Sequence, residues 1–206
     1  KNCTEPTILE PMDYNKVLLD ILSHENMANR EPIFEQYDKQ VQGRVHTETG
    51  QADSGVMAPF NSEKYPEEIR NVGIALSTDH NPRYGLIDPY WGGVNAVVEA
   101  MRNVAAVGAT AHAITDCLCF GNPEKPYQMW EFVEAVRGVS DACHAITLKD
   151  HPGYATPIIA GNVSFYNESK NGAIPPSPIV SCLGRLKDVN KMVPAHFQET
   201  DSTLIM

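Results

Sequence analysis

The sequence predicts an α/β (α+β) fold, and three observations predict it. An apolar run ending in a polar cluster, VGIALSTD (72–79), reads as a buried strand. The strongest helical stripe in the chain, Val97, Met101, Val104 and Ala105, comes next. A further strand over 111–121 and a further helix over about 127–143 then repeat the alternation of strand and helix.

Each element has its own sign. Asp13 is a helix N-cap, followed by Val17, Leu18, Ile21 and Leu22 on one face. A second helical stretch lies near Ile33, Phe34 and Tyr37, with Pro32 near its start. From 41 to 59, polar alternation and glycine punctuation predict short strands or loops, and NSEKYPEE (61–68) a charged loop. Gly92 and Gly93 are read as preceding a helix over 95–107. Glu99 and Arg102 lie on its other side, and Gly108 is its C′ residue. PEKP (123–126) leads into the helix of 127–143, with Trp130, Val133, Val136 and Val139 at helical spacing. TPIIAGNVSFYNES (156–169) predicts a strand and a tight glycine turn. PPSPIVSCLGRL (175–186) predicts a strand led by prolines; Pro175, Pro176 and Pro178 fit its beginning or a sheet edge. STLIM (202–206) reads as a strand cut off in mid-course.

The 206 residues carry 16 Lys and Arg against 26 Asp and Glu, a formal net charge of -10. That balance argues against a nucleic-acid partner held by a basic face. The hydrophobic share of 42% excludes a disordered chain. No apolar run reaches the roughly 18 residues of a spanning helix, so no membrane partner is expected. Residues 1–12 hold no apolar signal-peptide core, so a cytoplasmic location is expected. The chain opens on Lys1 rather than Met and is read as an excised or processed piece. Its five cysteines (3, 117, 119, 143 and 182) complete no zinc pattern and are read as free thiols of a reducing compartment. Sequons at Asn2, Asn162 and Asn167 are then read as chance or other chemistry.

Phosphate-loop, dinucleotide, zincin, hydrolase and kinase motifs are all missing. Three strand ends nevertheless gather polar residues: Ser77 to Asn81, Thr115-Asp116, and Gly161 to Ser164. Strand ends that converge on one rim form sites in α/β proteins. Asp, Asn and Ser are hard oxygen ligands suited to Mg2+, and a glycine lets backbone approach a phosphate. The same residue types also serve as helix caps and Asx turns.

The segments STDHNPRY (77–84), DPYWGGVNAVVEAMRNVAAVGATAHAITD (88–116), FGNPEKP (120–126) and AGNVSFYNES (160–169) carry a family resemblance. The chain resembles the synthetase component of phosphoribosylformylglycinamidine synthases. More closely, it resembles the second of their two amino-terminal-type domains of the aminoimidazole-ribonucleotide-synthetase superfamily. The resemblance covers about Tyr14 to Val193. It implies a small mixed sheet with two long helices on one face, with Trp130, Val133 and Val136 packed toward the sheet. It implies a helical lead-in over 1–45, the amino-terminal-type domain over 46–190, and over 191–206 a hinge and the first strand of a following carboxy-terminal-type domain. It also implies a ligase that uses ATP and Mg2+. ATP phosphorylates the amide oxygen of formylglycinamide ribonucleotide, and glutamine-derived ammonia then displaces phosphate. A glutaminase domain or subunit and the rest of the synthetase chain are the implied partners.

Residue by residue, the resemblance implies nucleotide contacts at Asp116 and Gly161, a Mg2+ ligand at Asn162 and a substrate contact at Ser164. Asp79 is a weaker metal candidate. His80 stands in a degenerate copy of the catalytic region, so no catalytic residue is expected here and the piece alone is expected to be inactive. Ala160 stands where glycine is usual, and an insertion of about eight residues lengthens the connection near Thr147 to Ala155. Such domains pair across their sheets, so a homodimer through the open sheet face is expected. The alternatives are another domain of the superfamily, which FGNPEKP argues against, and a non-catalytic assembly domain.

Overall fold

The computed structural model describes residue 7 and residues 9–48 and 50–203. The strand expected at STLIM lies mostly outside them. Two compact units divide between Lys39 and Gln40. In the first, α1 (Tyr14–Leu22) starts where expected, the Asp13 carboxylate accepting from the Asn15 and Lys16 amides. The one-turn α2 (Glu31–Phe34) carries Pro32 in its first turn.

The second unit is built on a six-stranded sheet. Its strands are β1 (Val45–Thr47), β2 (Gly55–Met57), β3 (Gly73–Asp79), β4 (Thr110–Cys119), β5 (Ile158–Ser164) and β8 (Ser177–Leu186). The order is β1-β2-β3-β8-β4-β5, antiparallel throughout except for the parallel pair of β4 and β5. Between β5 and β8 lies a two-stranded hairpin, β6 (Glu168–Ser169) and β7 (Gly172–Ala173). The short α3 (Pro82–Ile87) and the long α4 (Pro89–Ala106) and α5 (Pro126–Ala145) complete the unit. The parallel pair follows from the helical crossover of α5 between its two strands.

β8 is buried at alternate residues, Pro178, Val180, Cys182, Gly184 and Leu186, which marks the face covered by helices. On that side Val97, Ala100 and Val104 of α4 join Ala75, Ile114, Val180 and Cys182 in the main core. The Ser77 hydroxyl ties β3 to α4 by donating to the Ala100 carbonyl at 2.7 Å. The prolines belong to the strand's beginning, not to an edge, since β8 is interior. Pro178 precedes the first β3 pair, Asp79 with Val180, so its missing N–H breaks no bond to β3.

Three features differ from expectation. First, α4 begins at Pro89, because the Asp88 carboxylate caps it, accepting from Tyr90 at 2.9 Å and Trp91 at 3.2 Å. Gly92 and Gly93 thus lie inside the helix. Second, α5 turns Glu131, Ala135, Gly138, Val139, Ala142 and Cys143 inward. Trp130 and Val133 do not pack on the sheet: each is 47% exposed, and Val136 lies on the same outer side. The small residues face inward because α5 lies against α4 at near-backbone distance. A Cβ on Gly138 would sit 2.9 Å from the Tyr90 carbonyl carbon, and one on Gly93 would sit 3.1 Å from the Val139 nitrogen. Third, Gly161 is not in a turn but inside β5; the chain turns at Tyr166, with φ of 60°. The connection over 147–155 is a compact loop closed by a Thr147–Ala155 bridge and a Leu148 to Tyr154 hydrogen bond of 2.9 Å.

Candidate functional site

Strand register decides which of the expected residues meet. Asp79 on β3 and Asp116 on β4 both pair with Val180 of β8, so they stand at one level on either side of it. Paired residues share a face, and Val180 is fully buried beneath the helices. Both carboxylates therefore point to the helix side, two strand spacings or about 10 Å apart. The β4–β5 register sets Gly161 opposite Asp116, Asn162 opposite Cys117 and Ser164 opposite Cys119. Asp116 and Gly161 come together on the helix side of the sheet, at β5, which is itself exposed, whereas Asn162 and Ser164 lie on the opposite, open face with the two thiols.

The Asp116–Gly161 contact is close. A Cβ on residue 161 would lie 2.8 Å from the Asp116 Cγ, so the glycine makes the room that the carboxylate fills. Among the described residues Asp116 accepts no hydrogen bond, and burial pushes its pKa up. Asp79 is raised for the same reason, though the Asn103 side chain pulls it back; the Ser77 hydroxyl is spent on the Ala100 carbonyl. The Asn103 amide donates to Asp79 Oδ1 at 2.8 Å, while Oδ2 is buried without a partner. Among the described residues both ring nitrogens of the neighbouring His80 are likewise buried and unpartnered, and burial lowers its pKa. At neutral pH the His80 ring is uncharged.

Two buried thiols lie under these carboxylates. Burial, and then the charge of Asp116, pushes Cys143 up to about 11. Burial, Asp79 and Cys143 do the same to Cys182, also to about 11. Both are protonated and unreactive at neutral pH. Their apolar surroundings explain why the two carboxylates are poorly solvated.

On the open face Ser164 is pinned by Asn167, whose amide donates to the Ser164 hydroxyl at 3.0 Å, the Ser164 carbonyl at 2.8 Å and the Phe120 carbonyl at 3.0 Å. Asn103 and Asn167 are positioning residues that the sequence does not single out. Both lie within the segments that carry the family resemblance, Asn167 also within a sequon, but neither is given a role there.

Among the described residues no three His, Cys, Asp or Glu side chains cluster as a metal cage. Mg2+ commonly takes one or two protein oxygens and fills the rest of its shell with phosphate and water. Asn162 fits that mode as a single neutral oxygen. The desolvated Asp116 fits as a charge that gains from a nearby cation, but it lies on the other face.

Comparison with known proteins agrees with this architecture. The family described as AIR synthase related protein, N-terminal domain, matches residues 53–186. The chain is 49% identical over its whole length to the phosphoribosylformylglycinamidine synthase subunit PurL of Methanothrix thermoacetophila, covering 26% of that protein. It is 43% identical over 96% of its length to the Moorella thermoacetica PurL, covering 25% of it. It thus spans about a quarter of the length of the curated relatives it matches. Among solved structures, PurLQS from Thermotoga maritima superposes with a TM-score of 0.63 at 30% identity, over 80% of this chain and 25% of that one. Thermotoga maritima PurL complexed with ATP superposes with a TM-score of 0.60 at 27% identity, over 80% and 24%. The mixed sheet under two long helices and the match over 53–186 lead to one assignment: the chain belongs to the AIR synthase related protein family, as its N-terminal domain.

Proposed function

We propose that this chain is the second amino-terminal-type domain of the synthetase subunit of a phosphoribosylformylglycinamidine synthase. The 49% identity to a PurL along all 206 residues carries the proposal. In this reading the whole enzyme is a cytoplasmic ligase of purine biosynthesis. It activates the amide oxygen of formylglycinamide ribonucleotide with ATP, and ammonia delivered by a glutaminase partner displaces phosphate. The domain supplies nucleotide contacts at Asp116 and Gly161 and a substrate contact at Ser164. Asn162, on the open face beside Ser164, would hold Mg2+ through its side-chain oxygen, and the ion would supply neutralisation of phosphate charge there. Solved complexes of Thermotoga maritima PurL with ATP and with FGAR support the choice of ligands.

This domain's own groups bind and orient. A neutral His80 without hydrogen-bond partners is not set up as the acid or base of the reaction, which supports placing the catalytic histidine elsewhere in the enzyme. Among the described residues no helix is long and apolar enough to cross a membrane.

Calorimetric titration of the full-length protein with ATP and Mg2+ tests the nucleotide role. Gly161→Ala drives a methyl group into the Asp116 carboxylate, and a loss of ATP affinity of about tenfold or more is expected. Unchanged affinity removes Asp116 and Gly161 from the nucleotide site.

The open sheet face leads to a second expected outcome. Leu76, 50% exposed, and Met57, 40% exposed, stand on it beside Ile74. The 206-residue chain alone is proposed to pair with a second copy through this face. Sedimentation velocity at tens of micromolar should show a dimer, and a clean monomer overturns the pairing.

A further inference from the structure

Neither the fold nor the proposed reaction uses Cys117 and Cys119. They stand two apart on β4, so the strand's period of two puts both on the open face. Both are half-buried free thiols, and their sulfurs lie 3.7 Å apart. They flank a small polar strip: Asn162 pairs with Cys117, and Ser164 and Ser177 pair with Cys119.

Two uses of such a pair compete, and geometry separates them. A disulfide needs Cα atoms about 4.4–6.8 Å apart with side chains inclined toward each other. Residues i and i+2 of one strand are held about 6.6–6.8 Å apart with parallel side chains, at the extreme of that range. A bridging ion needs no closure. Two sulfurs bonded at about 2.3 Å to a tetrahedral ion lie about 3.8 Å from each other. The observed spacing matches this bite without movement of the backbone. Thiolates select soft ions over Mg2+, so the site is chemically distinct from the oxygen ligand at Asn162.

We propose that Cys117 and Cys119 form a two-sulfur site for a soft, thiophilic divalent cation of the zinc and cadmium class, its remaining positions open to water or ligand oxygens. Binding forms two metal–sulfur bonds and releases the two thiol protons to solvent; no electrons are transferred.

Cadmium ion titrated into the reduced, metal-free full-length protein is the test. Ultraviolet thiolate-to-cadmium absorption should saturate with one more equivalent in the unaltered protein than in Cys117→Ser or Cys119→Ser. Cys143→Ser should retain that equivalent. Equal absorption in the unaltered protein and both serine variants overturns the site. A second measurement needs no variant: iodoacetamide labelling read by peptide mass, with and without one equivalent of cadmium. Joint protection of Cys117 and Cys119 supports the site; labelling unchanged by cadmium overturns it.

Discussion

Asp116→Asn in the full-length protein is expected to lower the proposed synthase turnover by on the order of 100-fold, while its melting temperature at neutral pH rises by about 1–3 °C. The two effects have one origin. The carboxylate is half-buried, accepts no hydrogen bond among the described residues and has its pKa raised by burial. A group whose folded pKa lies above its unfolded value of 3.8 contributes stability that is fully present below 3.8 and lost as pH rises through the folded pKa. Asn keeps the shape and removes that loss, so the difference in melting temperature should shrink as pH falls toward 4. His80 acts in the opposite sense in both proteins. Its lowered folded pKa removes stability as pH drops below 6.5. Melts from pH 7.5 to 4 combined with a steady-state assay check both halves. Unchanged turnover removes Asp116 from the site. A lower melting temperature at neutral pH shows that the carboxylate has a favourable partner in the folded state. Holding an uncompensated charge where a ligand is to bind is a common exchange of stability for activity.

Gly138→Ala is expected to destabilise the domain by about 2–3 kcal/mol, a fall in melting temperature of roughly 5–10 °C. Helix propensity alone predicts the reverse, since Ala is better than Gly inside a helix by about 1 kcal/mol. The contact between α4 and α5 reverses the sign. The added methyl meets the backbone of Tyr90, which cannot rotate away as a side chain would. Gly93→Ala meets the backbone of Ala135 and Val139 at the same crossing and should behave alike. Both changes force the same separation of the helices, so the double variant should lose less than the sum of the two. A rise in melting temperature for Gly138→Ala refutes the close crossing.

These glycines show where the sequence is legible and where it is not. Periodicity locates the bodies of both long helices, though not the Asp88 cap that starts α4, and the strands of 72–79, 111–121 and 175–186, because those signals are local. The inward face of α5 is not local. Trp130, Val133 and Val136 form an apolar stripe as regular as a core-facing one. Only the partner helix makes Ala135, Gly138 and Ala142 the side that must be buried. Gly92 and Gly93 read as punctuation for the same reason: a glycine that admits a neighbouring backbone looks the same in sequence as one that ends a helix. At the site, the family resemblance draws out Asp116, Gly161, Asn162 and Ser164. The division of these four between two sheet faces depends on the β4–β5 register, Asn103 acts on Asp79 across 24 residues, and Asn167, three residues from Ser164, is anchored by the distant Phe120 carbonyl.

The Asp116–Gly161 contact has a further consequence for how the sheet closes during folding. β5 joins the sheet through β4 alone, and one extra residue, Ile159, bulges out just before the pairing of Thr115 with Ala160. A strand attached on one side and bulged at its start is free to slip. A slip of one residue in either direction sets Ala160 or Asn162 opposite Asp116, each bringing a Cβ to the place the carboxylate holds. The acidic side chain accepts only the glycine beside it. The pair thus works as a key for alignment, rejecting the shifted sheets in which Asn162 and Ser164 would exchange faces with their neighbours.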